Sequence, residues 1–127
     1  MNVQKLLLVG IGGFFGSASR YFLAKTIDDN ITRIFPYGTL TVNVAGSFLL
    51  GVIYALALKK VSNPEVVSLV LGVGFCGGFT TFSTFAWENM ALLQQKGLTD
   101  SILYSATSLV LGLLAVWGGF SIVKLIL

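Results

Sequence analysis

Apolar residues in this chain come in long uninterrupted runs, not in an alternating or one-sided pattern. Residues 34–58, 66–87 and 101–123 contain no charged side chain. Each run exceeds the roughly 18–20 residues that a helix needs to cross about 30 Å of hydrocarbon. The first run, 6–19, is shorter. It lengthens to about 2–25 if Lys5 snorkels outward and Arg20 is tolerated inside. It does not read as a cleaved leader, because apolar residues continue past Arg20 with no clear cleavage site after them. The pattern predicts an all-α membrane protein of four transmembrane helices, at about 3–25, 37–59, 65–95 and 99–126, in one domain over 1–127.

The joints carry helix punctuation. Asp28-Asp29-Asn30 reads as a connection after helix 1, and Pro36 suits the opening of helix 2. Ser62-Asn63-Pro64-Glu65 reads as an N-cap followed by a first-turn proline. Lys96-Gly97 closes helix 3, and Thr99-Asp100 opens helix 4. Four such helices make a bundle too thin to enclose much. A polar pathway belongs more naturally between copies, so oligomerisation is expected.

Composition agrees. The chain is 55% hydrophobic and 10% charged, with a mean hydropathy of +0.89. Soluble domains carry about 25% charged residues, and disorder needs far lower hydrophobicity. There is no histidine, so His-based catalysis and His-ligated metals are excluded. The lone Cys76 makes neither an internal disulfide nor a thiolate cluster. A net charge of +3 from scattered basic residues is no nucleic-acid footprint. An enzyme is not expected, since Glu88 has no catalytic partner visible in the sequence.

Loop charge normally orients a membrane protein. Here Lys5, Lys59, Lys60 and Lys124 fall on one side, against Lys25, Arg33 and Lys96 on the other, with Arg20 near that side. That is almost no bias. Either other signals orient the chain, or it inserts both ways and pairs antiparallel.

The most unusual stretch is Gly74-Phe-Cys-Gly-Gly-Phe-Thr-Thr-Phe-Ser-Thr-Phe85 in helix 3. Each glycine weakens a helix by roughly 1 kcal/mol relative to alanine. The glycines serve close packing, or they mark a break near mid-membrane whose freed carbonyls take a cation or face a polar cavity. Beyond them, Thr81, Thr84 and Glu88 share one face, and Phe75, Phe79 and Phe82 share another, with Phe85 three residues on. Helix 2 sets Thr39, Asn43 and Ser47 at i, i+4 and i+8, with Gly46 and Gly51 alongside. Helix 4 aligns Tyr104, Ser108 and Gly112, and helix 1 aligns Gly12, Gly16 and Arg20. Donors and one cation thus outnumber the single acid, Glu88, and phenylalanine adds ring edges of partial positive charge. The inventory favours an anion over a cation as the permeant species.

These motifs resemble the Fluc/CrcB fluoride channel family over the whole chain. They are Gly12-Gly-Phe-Phe-Gly16 with Ser17-Ala-Ser-Arg20, Gly38-Thr-Leu-Thr-Val-Asn43, and the helix 3 string followed by Glu88. The resemblance implies a dual-topology, antiparallel homodimer in the cell membrane, with two pores along its interface and passive fluoride export that protects the cytoplasm. It implies that Phe82 and Phe85 line the pore, that Asn43 is a donor beside them, and that Thr81, Ser83 and Thr84 form a polar rail. Main-chain oxygens of Gly77 and Thr80 from both subunits would hold a central structural sodium ion. Tyr104 and Ser108 join the pore by spacing and general family pattern, with Arg20, Thr39 and Glu88 as polar or charged support. The rival is a small multidrug-type proton-coupled exporter. It needs an acidic residue in the middle of helix 1, where this chain has only Arg20.

Overall fold

The computed structural model describes residues 2–31, 34–59 and 61–127. Arg33 and Lys60, two of the loop charges counted above, lie outside the described residues. Helix α1 spans Val3–Asn30 and α2 spans Tyr37–Leu58. The third span opens as α3 (Pro64–Val67), widens into a π-helical segment (Ser68–Cys76), and returns to α geometry in α4 (Gly77–Phe79). After an extended step at Thr80 and Thr81 come α5 (Phe82–Gln95) and α6 (Leu98–Ile126). Among the described residues, four stretches are long and apolar enough to cross a membrane: Val3–Asn30, Tyr37–Leu58, Pro64–Gln95 and Leu98–Ile126.

Helix α1 runs to Asn30, past the expected end near residue 25. The polar run at 28–30 continues the helix because its side chains bond along the helix surface. Lys25 pairs with Asp29 at 3.1 Å, and the Asn30 amide donates to the Thr26 carbonyl at 2.7 Å. Asp28 turns the other way and accepts the Gly38 N–H at 2.8 Å. It thereby caps α2, whose own N-cap, Pro36, offers no side-chain bond. Gly97, at φ 101°, makes the sharp corner between α5 and α6.

Two helix pairs carry the packing. Helix α1 lies against the π segment and α4, and α2 lies against α6. Both seams are glycine seams. A Cβ on Gly12 or Gly16 would overlap the Val70 or Phe75 carbonyl, and one on Gly51 or Gly119 would overlap the Val116 or Phe48 carbonyl. The backbones touch because those positions lack side chains. The buried apolar set is small, including Val42, Ile53, Cys76, Phe79 and Tyr104. Phe14, Phe22, Leu113 and Trp117 stand exposed, as helices facing lipid require.

Candidate functional site

The third span changes character at Thr80 and Thr81. Their backbones are extended, at φ −89°, ψ 158° and φ −149°, ψ 122°. The glycines just before them stay helical, Gly77 at φ −63°, ψ −36°. The chain leaves the helix because side chains offer its polar groups other partners. Asn43, on α2, presents its amide to Thr81 as a neighbouring strand would. Its Oδ1 accepts the Thr81 N–H at 2.7 Å, and its Nδ2 donates to the Thr81 carbonyl at 3.1 Å. The Thr81 hydroxyl then caps α5, accepting the Thr84 N–H at 3.2 Å and donating to the Thr84 hydroxyl at 3.1 Å.

The carbonyls of Gly77 and Thr80 lose their ordinary partners as a result. In an α-helix the N–H of Thr81 would bond the Gly77 carbonyl, and that of Thr84 would bond the Thr80 carbonyl. Both N–H groups point elsewhere. The Gly78 carbonyl accepts from Arg20 Nε at 2.9 Å instead. Arg20 therefore acts on the third span and not on Glu88.

A cavity of about 450 Å³ opens beside this step. Asn43, Gly77, Thr80, Thr81, Phe82, Phe85 and Ser108 all line it, as does Ser47. The rings of Phe82 and Phe85 lie 5.8 Å apart at 42°, and Phe85 sits 5.1 Å from Tyr104. Phe82 is 79% exposed, the most accessible ring of that cluster. Phe75 and Phe79 form a separate stacked pair at 5.5 Å, because the extended step splits the expected aromatic row. The Ser108 hydroxyl is buried without a hydrogen-bond partner among the described residues.

A second cavity, of about 470 Å³, is lined by Arg20, Asp28, Thr39, Thr81, Thr84 and Glu88 among others. Glu88 is clamped there. Thr39 donates to its Oε1 at 2.6 Å, and Tyr104 donates to its Oε2 at 2.7 Å. Both donors are buried, so the carboxylate is held by α2 and α6 at once. Tyr104 is thus a support of Glu88 and a floor beneath Phe85. Ser83 is exposed and only approaches the Thr81 hydroxyl, at 3.4 Å.

One clamp was not anticipated from the sequence. Asn89 donates to the Phe85 carbonyl at 3.0 Å, and its Oδ1 accepts from Ser101 at 3.0 Å and Ser105 at 2.8 Å. It ties α5 to α6 one turn beyond Phe85. The spacing of Ser101, Ser105 and Ser108 on one face of α6 was the available signal.

The sequence matches the family described as CrcB-like protein, Camphor Resistance (CrcB), over residues 7–120. A Hahella chejuensis protein named Fluoride-specific ion channel FluC is 41% identical over 128 residues, covering 100% of both chains. A Chlorobium chlorochromatii protein of that name is 46% identical over 114 residues, 90% of this chain and 88% of its own. One from Thermus thermophilus is 42% identical over 120 residues, 94% of each chain.

Proposed function

The chain belongs to the CrcB-like family and is a multi-pass membrane protein, and from that premise we propose that it is a fluoride-selective channel giving passive fluoride export. The relatives are named as ion channels, not enzymes. The observation that carries the reading is the cavity lined by Phe82, Phe85 and Ser108, whose hydroxyl has no partner among the described residues. Fluoride is small and holds its water tightly. A dehydrating path must replace that water with donors, and hydroxyls and positive ring edges are the donors present. Asn43 contributes chiefly by holding Thr81, which fixes where α5 begins and so where both rings stand. One amide proton of Asn43 remains for an ion.

The working form in this reading is an antiparallel, dual-topology homodimer with two pores along its interface. The exposure of Phe82 and the near-even loop charges support it. The extended step at Thr80 and Thr81 is read as the mid-membrane break. The Gly77 and Thr80 carbonyls, relieved of their helical partners, fit a hard cation bound by main-chain oxygens. They would hold a structural sodium ion, which supplies positive charge that favours a nearby anion.

Purified protein in liposomes tests the reading: fluoride efflux is expected to exceed chloride efflux by a wide margin, and equal or absent fluoride flux would sink it. Phe82→Ile and Phe85→Ile are expected to lose most flux while the protein stays folded, because bulk is kept and the ring quadrupole is not. Replacing sodium by a large organic cation is expected to lower the unfolding temperature, as loss of a ligand specific to the folded state does. One-sided labelling of an engineered loop cysteine would overturn the dual-topology part alone.

A further inference from the structure

We propose that Ser47 is a further ion-contacting residue, a hydroxyl donor on α2 that works with Ser108 on α6 and sharpens the preference for fluoride. The proposal rests on the channel reading above. Few polar groups of the cavity are free to meet an ion. Asn43 is paired with the Thr81 backbone at both ends of its amide. The Thr80 hydroxyl bonds back to the Cys76 carbonyl at 2.9 Å, and Ser105 donates to Asn89. The Thr81 hydroxyl is engaged with Thr84. The Tyr54 hydroxyl stands by Gly72, well along α2 from the rings. Beside the one N–H that Asn43 keeps, that leaves two hydroxyls: Ser108, buried and unpartnered among the described residues, and Ser47, both lining the cavity.

Position and space favour Ser47. It follows Asn43 by one helical turn, on the same face of α2. Across from it, Gly112 follows Ser108 by one turn of α6. A Cβ on Gly112 would meet only the Ser47 hydroxyl, at 3.8 Å, an ordinary contact distance. Ser47 itself is half-buried and lines the cavity, and the space at 112 has room for one more small group beside its hydroxyl. Two hydroxyls, one on each of the packed helices α2 and α6, replace water around an anion better than one, and a hydroxyl placed on either helix at this level serves the same end.

That symmetry supplies the test. Fluoride and chloride efflux are measured with an ion electrode from liposomes holding the wild-type protein, Ser47→Ala, or Ser47→Ala with Gly112→Ser. Losing a hydrogen bond to a charged group corresponds to about a tenfold change or more. Ser47→Ala is therefore expected to cut fluoride flux by about that factor and to narrow its margin over chloride. Adding Gly112→Ser is expected to restore most of both, since it returns a hydroxyl from the facing helix. Wild-type flux in Ser47→Ala overturns the proposal. So does a lasting loss in a double variant that elutes as the folded protein, because Ser47 would then act through packing. If the double variant does not fold, Ser47→Thr decides: retained flux upholds the hydroxyl role, and a loss equal to that of Ser47→Ala overturns it. No fluoride flux in the wild type would instead sink the channel reading itself.

Discussion

The two parts of the third span are held in place by opposite means. Up to Phe79 the span is glycine-rich and meets α1 backbone against backbone, with Gly12 and Gly16 under Val70 and Phe75. From Thr81 onward it is anchored by side-chain hydrogen bonds, through Asn43, Thr39, Tyr104, Ser101 and Ser105. The first part depends on shape and has no room for a Cβ at Gly74 or Gly78. The second depends on donors and acceptors and tolerates no missing ones. Phe82 and Phe85 stand in the second part, where the bonds from Asn43 to Thr81 and from Asn89 to the Phe85 carbonyl hold the turn that carries both rings.

The sharpest way to break this contrast is Asn43→Leu. It keeps bulk and orphans the Thr81 N–H and carbonyl, at about 1–3 kcal/mol for each group. Thermal unfolding of the purified protein should register a loss of that size, and an unchanged midpoint would mean that Thr81 finds other partners. Tyr104→Phe removes one donor from Glu88 and is expected to cost about 1.5–3 kcal/mol in the same assay. In the first part, Gly16→Ala adds a single methyl against the Phe75 carbonyl and should cost about 1–3 kcal/mol. A silent Gly16→Ala would remove the case for shape-dependence there. Asn89→Ala, which loosens α5 from α6, is expected to cost about 0.6–1.7 kcal/mol. Gly10→Ala is the control, because nothing lies near its missing Cβ. It should be neutral or stabilise α1 by up to about 1 kcal/mol.

What the sequence disclosed follows the same division. Uninterrupted apolar runs locate membrane spans because lipid imposes one requirement on the whole length of each helix. The seam glycines were legible too, since Gly12 and Gly16 share a face. The end of α1 was not: Asp28-Asp29-Asn30 has turn composition, and only contacts along the helix and with Gly38 keep it helical. Nor was the location of the extended step. Glycine weakness pointed to 74–78, yet those residues stay helical, and the chain departs where Asn43 and the Thr81 hydroxyl offer better partners. Stripes put Thr39, Glu88 and Tyr104 on faces, but their meeting depends on how three helices are rotated against one another. Ser83 shows the limit of motif position alone, being beside the rail and outside the cavity.

The reciprocal bonding of Asn43 with Thr81 also imposes an order in time. Asn43 precedes Thr81 by 38 residues, and a chain is synthesised and begins to fold from its N-terminus. The amide is already in the bilayer on α2 when the extended pair emerges. The backbone groups that lipid would otherwise leave unsolvated meet a waiting partner during biogenesis. A permuted gene that placed α2 after α5 would send Thr80 and Thr81 into hydrocarbon unaccompanied. Its product should integrate poorly even though every contact of the finished fold remains available to it.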